Sequence, residues 1–358
     1  MFGKWSRSGI YLGCKKLYNK GKQKNMSIVN PENKKMVLSC DGGGIRGIII
    51  ARCLEKLEQI EGKRCNELFS LMAGTSTGAI IAGALASGIK ASELVNIYLN
   101  RGEEIFKKTT SLWNRLLKWK YDKAGSKKIF QELFGTRILQ DLPVDILISA
   151  KDTVRGETIF FEKRKTFGNM LLREAVESSM SAPTYFRPNG RYIDGGIGSF
   201  NNPCYQAAVE AVHYLKYPED KTIILSFGCG RDINNLRDGE AEKKTKLGWI
   251  GYVIGEGMDD ANEQQVNLVK REYSARSGLE FRRYQLSFSH DVFAQIGVPM
   301  DRIKDMKKFS MDAVKHIEAL DLIANQFAKY VKFTEKNGVD LGEKPKLVEN
   351  DYKQYLKE

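Results

Sequence analysis

The chain has 358 residues, 42% hydrophobic and 28% charged, ordinary proportions for a globular protein with a sizeable core. Its formal net charge of +13 favours phosphate-rich partners such as anionic membranes, nucleotides or nucleic acid, and serves plain solubility equally well. Six scattered cysteines without a CxxC pair offer no zinc site and argue against a disulfide framework, so reduced thiols in a cytoplasmic protein are expected.

Residues 1–33 read as a basic arm. Seven lysines and arginines precede Glu32, the first acid, and Trp5, Ile10, Tyr11, Leu12, Leu17 and Tyr18 are interleaved with them. That mixture suits an interfacial helix or a polybasic tether, with a disordered leader as the alternative. No apolar core of signal-peptide length follows, and no run approaches the roughly 18 apolar residues of a membrane span. The protein is therefore expected to touch a membrane without crossing it.

From Met36 the pattern becomes regular. Residues 36–40 predict a buried strand, 41–44 a sharp loop and 45–60 a helix ending near Gly62. A second strand over 68–73, a turn over 74–78 and a small-residue helix over 77–86 follow. Strand, glycine loop, helix, then strand, tight turn, helix is the pattern of a parallel α/β sheet. Further strands are predicted at 144–150, 158–162, 191–193 and 223–227, the last completing the sheet. Helices are predicted at 170–179 and 203–215. Beyond about residue 245 the sequence reads as helical and charged, with an amphipathic run over 312–333.

Gly74-Thr75-Ser76-Thr77-Gly78 fits Gly-x-Ser-x-Gly, in which a serine sits on a strained strand-to-helix turn. The flanking glycines leave room for that backbone and for a substrate, and the following helix aims its N terminus at developing negative charge. Alone, the pentapeptide also occurs as an ordinary flexible turn. Asp41-Gly42-Gly43-Gly44-Ile45-Arg46-Gly47 frees backbone N–H groups for an anion, either a tetrahedral oxyanion or a nucleotide phosphate. It lacks the Gly-Lys-Ser/Thr ending of a P-loop, and Arg46 is expected to orient the loop. Asp194-Gly195-Gly196, after a short strand, reads either as a held carboxylate or as an Asp-Gly turn.

In this order, the three elements resemble the patatin-like phospholipase family, together with Ser181-Ala182-Pro183-Thr184-Tyr185-Phe186 and Asn201-Asn202-Pro203. The resemblance runs from about Val37 to Phe227. It implies a three-layer α/β/α fold with a mostly parallel sheet, a catalytic core over 34–230 and a mainly helical region over 231–358 packing on it. It implies a lipid acyl hydrolase in which Ser76 is the nucleophile and Asp194 the base. Gly42, Gly43 and Gly44 would form the oxyanion hole, supported by Arg46, Gly74, Gly78, Gly195 and Gly196. No cofactor, metal or nucleic acid is implied, and calcium is not expected. A Ser-His-Asp triad, as in a thioesterase or protease, would need one of His213, His290 and His316; only His290 sits where a loop is expected. A lipid or nucleotide sensor without turnover is the other alternative.

Residues 105–128 carry eight lysines and arginines against one acid, Asp122, alternating with Trp113, Trp119, Tyr121 and leucines. This composition suits a lid or membrane-docking patch built on Trp113, Lys118, Trp119 and Lys120, the alternative being a solvated helix packed on the core. The C-terminal third, including Gly248-Trp249 and Arg283-Tyr284-Gln285-Leu286, resembles bacterial patatin-like proteins, some of which are anti-phage effectors switched on by cyclic nucleotides. Expected partners are thus membrane phospholipid as substrate, an anionic membrane surface in peripheral contact and a cyclic-nucleotide activator.

Overall fold

The computed structural model describes residues 27–110, 119–164, 166–231, 239, 241–299 and 314–342. Its centre is a sheet of eight strands: β1 (Lys35–Cys40), β2 (Phe69–Gly74), β3 (Asp145–Asp152), β4 (Glu157–Glu162), β5 (Tyr192–Asp194), β6 (Thr222–Phe227), β7 (Glu280–Leu286) and β8 (Gly338–Leu341). Their order is β4-β3-β2-β1-β6-β7-β8, with β5 pairing off the path onto β3. All pairs are parallel except β3 with β4 and β3 with β5.

Apolar residues alternate between two cores, which is why the strands read as near-continuous hydrophobic runs. Leu38, Met72, Ile148 and Leu225 face one core, built with the helices Ile48–Glu61, Thr77–Ala86, Ala91–Ile105 and Ile317–Tyr330. Val37, Leu71, Leu147 and Ile224 face the other, against the helices Cys204–Val209 and Lys246–Val269. The result is the expected three-layer α/β/α arrangement. The helix Ile48–Glu61 stops where expected, because Gly62 adopts φ 62 and its N–H bonds back to the Glu58 carbonyl.

The sheet does not end at Phe227, however: β7 adds in parallel to β6, and β8 to β7. Two arginines disguise β7, since their charge reads as exposed although both are buried. Arg282 bonds Glu280 and the carbonyls of Val29 and Phe333, while Arg283 pairs with Asp41. The region 231–358 thus contributes two strands of the central sheet in addition to its helices. Among the described residues, no helix is long and apolar enough to cross a membrane. Most of the basic arm lies outside the described residues.

Candidate active site

The glycine loop leaves the C-terminal end of β1, and the serine turn leaves that of the neighbouring β2. Beside them the strand order turns from β1 to β6, the place where open α/β sheets form a binding crevice. Between β2 and the helix Thr77–Ala86 only Thr75 and Ser76 intervene. Ser76 adopts φ 54 and ψ −119, a conformation that residues with a Cβ avoid. Close packing on both sides enforces it. A Cβ on Gly74 would stand 2.1 Å from the Gly78 carbonyl oxygen, and one on Gly78 2.2 Å from that of Cys40.

Polar contacts then fix the turn. The Ser76 N–H donates to Ser179 Oγ over 2.9 Å. Thr75 donates its hydroxyl to the Phe200 carbonyl over 2.7 Å, which leaves Ser149 as the donor in the 2.7 Å contact between the Thr75 and Ser149 hydroxyls. Thr77 shares a 2.5 Å hydroxyl contact with Tyr98.

Asp194 ends β5, opposite Ala150 of β3, with its own N–H given to the Ser181 carbonyl over 3.1 Å. Close approach is again the reason for the adjacent glycine, because a Cβ on Gly195 would meet Ser149 Oγ at 2.2 Å. The buried Asp194 carboxylate accepts from the Gly196 N–H over 2.8 Å and lines the same cavity as Ser76, whose hydroxyl favours its ionised form. Burial pushes its pKa up to about 6, and these two groups only moderate the rise. A carboxyl at its ordinary pKa is a weak base; one near 6 works in the range of histidine.

The glycine loop is anchored at its first residue. Asp41 receives 2.9 and 2.6 Å hydrogen bonds from the two terminal nitrogens of Arg283, and Arg283 also donates to Ser226 Oγ. Burial works against the charge of Arg283, but Asp41 more than offsets it and holds the guanidinium above its usual range. The N–H of Gly42 is already spent on the Asn201 carbonyl, 3.0 Å away. That corrects the expectation for Gly42 as an oxyanion donor. Its part is spatial, since a Cβ there would strike Asn201 Oδ1. The N–H groups of Gly43 and Gly44 meet no acceptor among the described residues, nor does that of Thr77, which sequence reasoning missed. Arg46 is buried in the turn after the loop, its guanidinium 5.5 Å from the Phe288 ring centroid.

Ser76 and Asp194 open onto a cavity of about 120 Å³ that Gly43, Gly44 and Thr77 also line. Ile80, Ile105, Phe106, Met180 and Phe186 make much of its wall apolar. An apolar wall beside Ser76 and Asp194 suits the acyl end of an ester. None of His213, His290 and His316 lines the cavity. His213 contacts the Tyr273 hydroxyl over 3.1 Å, and His290, rather than lying in a loop, opens the short helix His290–Gln295.

Of the expected lid residues, Trp113 and Lys118 lie outside the described residues. Trp119 and Lys120 are half-buried, and Lys120 stands 5.4 Å from the ring centroids of both Tyr121 and Tyr185. The N–H groups of Lys120 and Tyr121 bond the carbonyls of Thr184 and Tyr185, two residues of the cavity wall. Next along the chain, Lys123 reaches Glu177 Oε1 at 3.1 Å and Ser181 Oγ at 2.8 Å. It thereby joins the helix that carries Ser179 to the segment whose carbonyl holds Asp194.

Residues 38–208 match the family model described as patatin-like phospholipase. The chain is 33% identical over 250 residues to the cGAMP-activated phospholipase of Pseudomonas aeruginosa, covering 66% of this chain and 74% of that protein. This chain belongs to the patatin-like phospholipase family. Within the family, the 85/88 kDa calcium-independent phospholipase A2 of Mus musculus is 30% identical over 220 residues. That match covers 54% of this chain but only 27% of the mouse protein's length. Among solved structures, VipD from Legionella pneumophila aligns with a TM-score of 0.40 and 10% identity, over 80% of this chain and 66% of that one.

Proposed function

We propose that this patatin-like protein is a lipid acyl hydrolase of the phospholipase A type, working through Ser76 and Asp194. The observation that carries the reading is that Ser76 and a buried carboxylate lifted to about pKa 6 open together onto one apolar cavity. Ser76 Oγ attacks the ester carbonyl as its proton passes to Asp194. The N–H groups of Gly43 and Gly44, with Thr77 as a third candidate, receive the oxyanion. Collapse expels the lipid alcohol, which takes the proton from Asp194 and leaves the acyl group on Ser76. Water then gives a proton to Asp194 and attacks the acyl-enzyme. The fatty acid leaves as the proton returns to Ser76.

Substrate class and regulation rest on family and charge. Phospholipase relatives and the apolar wall support a fatty-acyl ester of a membrane phospholipid, and the net charge of +13 supports peripheral contact with an anionic bilayer. The name of the Pseudomonas relative supports a cyclic-nucleotide activator, and a role in anti-phage defence rests on the resemblance to bacterial effectors alone. The test is mass spectrometry of products from mixed membrane phospholipids. Wild type should release fatty acid and lysophospholipid and Ser76→Ala neither; equal release by both refutes the reading.

A further inference from the structure

By composition Lys123 belongs with the lysines of the basic stretch 105–128, but its side chain is buried, only 11% exposed. The ammonium donates to Glu177 Oε1 over 3.1 Å and to Ser181 Oγ over 2.8 Å. Ser181 donates its own hydroxyl proton to the Glu177 carbonyl over 2.5 Å, so towards Lys123 it can only accept. Both partners lead to the dyad. Glu177 lies on the helix Leu172–Ser179, whose last residue receives the Ser76 N–H. Ser181 gives its carbonyl to the Asp194 N–H. Just before Lys123, the N–H groups of Lys120 and Tyr121 bond the carbonyls of Thr184 and Tyr185, each over 2.9 Å. Thr184 adopts φ 70, a conformation that β-branched residues avoid, and one of these bonds falls on it. Residues 120–123 thus grip 181–185 at three points.

A buried ion pair is a poor source of stability, because desolvation offsets much of the attraction. Here burial outweighs Glu177 and lowers the pKa of Lys123. A charge held there in spite of burial, with its bonds on the two segments that carry nucleophile and base, has a geometric use. We propose that Lys123 is a positioning residue for Ser76 and Asp194, fixing one against the other through Ser181 and the helix of Ser179. The raised pKa of Asp194 is set by burial, Ser76 and Gly196, so Lys123 acts through the backbone and not through its charge.

This role rests on the hydrolase reading, so the first readout is labelling of wild type at Ser76 by a fluorophosphonate; no labelling refutes that reading. With wild type labelled, Lys123→Met should lower kcat on a soluble ester about ten- to a hundredfold, with KM near wild type. Ser181→Ala cuts the same bond from its other end with little disturbance of the fold, and should lower kcat at least about threefold. The two losses share one cause, so the double variant should be no slower than Lys123→Met; independent losses would multiply. Lys34→Met is the control for stability. That lysine is 13% exposed, pairs with Glu32 and Glu280, and lies just before β1, at the opposite end from the glycine loop. Its loss should lower the melting temperature and leave kcat unchanged. A wild-type kcat in Lys123→Met or Ser181→Ala, multiplying losses in the double variant, or an equal kcat loss in Lys34→Met overturns the role.

Discussion

The backbone N–H of Ser76 is held by the hydroxyl of Ser179, a fully buried residue 103 positions later in the chain. The bond stabilises the strained φ of the serine without touching its side chain. Ser179→Ala removes the acceptor and leaves the N–H buried and unmatched. Misplacing a nucleophile by a fraction of an ångström should lower kcat about ten- to a hundredfold with little change in KM. Steady-state kinetics on a soluble ester checks this; an unchanged kcat refutes the role.

Arg283 and Asp41 should behave as a unit. Arg283→Met leaves a buried carboxylate unpaired at the start of the glycine loop, and a loss of about 3 to 5 kcal/mol is expected in denaturant unfolding. Asp41→Asn combined with Arg283→Met removes both charges and should recover part of that loss. A double variant no better than Arg283→Met would mean that the pair is not coupled.

The raised pKa of Asp194 has two signed consequences. As a base it must be ionised, so kcat/KM should fall about tenfold per unit as pH drops below about 6. For stability the sign is opposite. The folded pKa lies above the unfolded value, so folding favours the protonated form, and stability declines as pH rises from about 4 to 6. Asp194→Asn should therefore stabilise the protein by on the order of 1 to 3 kcal/mol at pH 8 and by much less at pH 4. Thermal unfolding at the two pH values provides the comparison.

How much of this was legible in the sequence depends on how local each contact is. Ser76, Gly74 and Gly78 declare themselves because strand, turn and helix are contiguous. Asp194 does so through the short strand before it. Ser179, Lys123 and Arg283 carry no such signal, because their partners are brought together only by the fold; Arg283 lies 242 residues from Asp41. Gly42 shows the limit from the other side. A glycine run promises free N–H groups, but which of them is already bonded depends on the carbonyl of Asn201, far along the chain. The four residues of β8 at the sheet edge are too few for a periodicity to speak.

Trp113 and Trp119 are the aromatic residues proposed to meet the bilayer. Replacing both by serine should weaken binding to anionic vesicles several-fold while leaving hydrolysis of a soluble short-chain ester near wild type. Co-sedimentation and ester turnover on the same preparations measure both. Unchanged vesicle binding removes the docking patch from the account.

The central claim is that Ser76 is a nucleophile activated by Asp194, and a serine-reactive fluorophosphonate tests it directly. Wild type should label at Ser76, Ser76→Ala should not label, and Asp194→Asn should label about two to four orders of magnitude more slowly. Undiminished labelling of Ser76→Ala, or an Asp194→Asn rate equal to wild type, would contradict it.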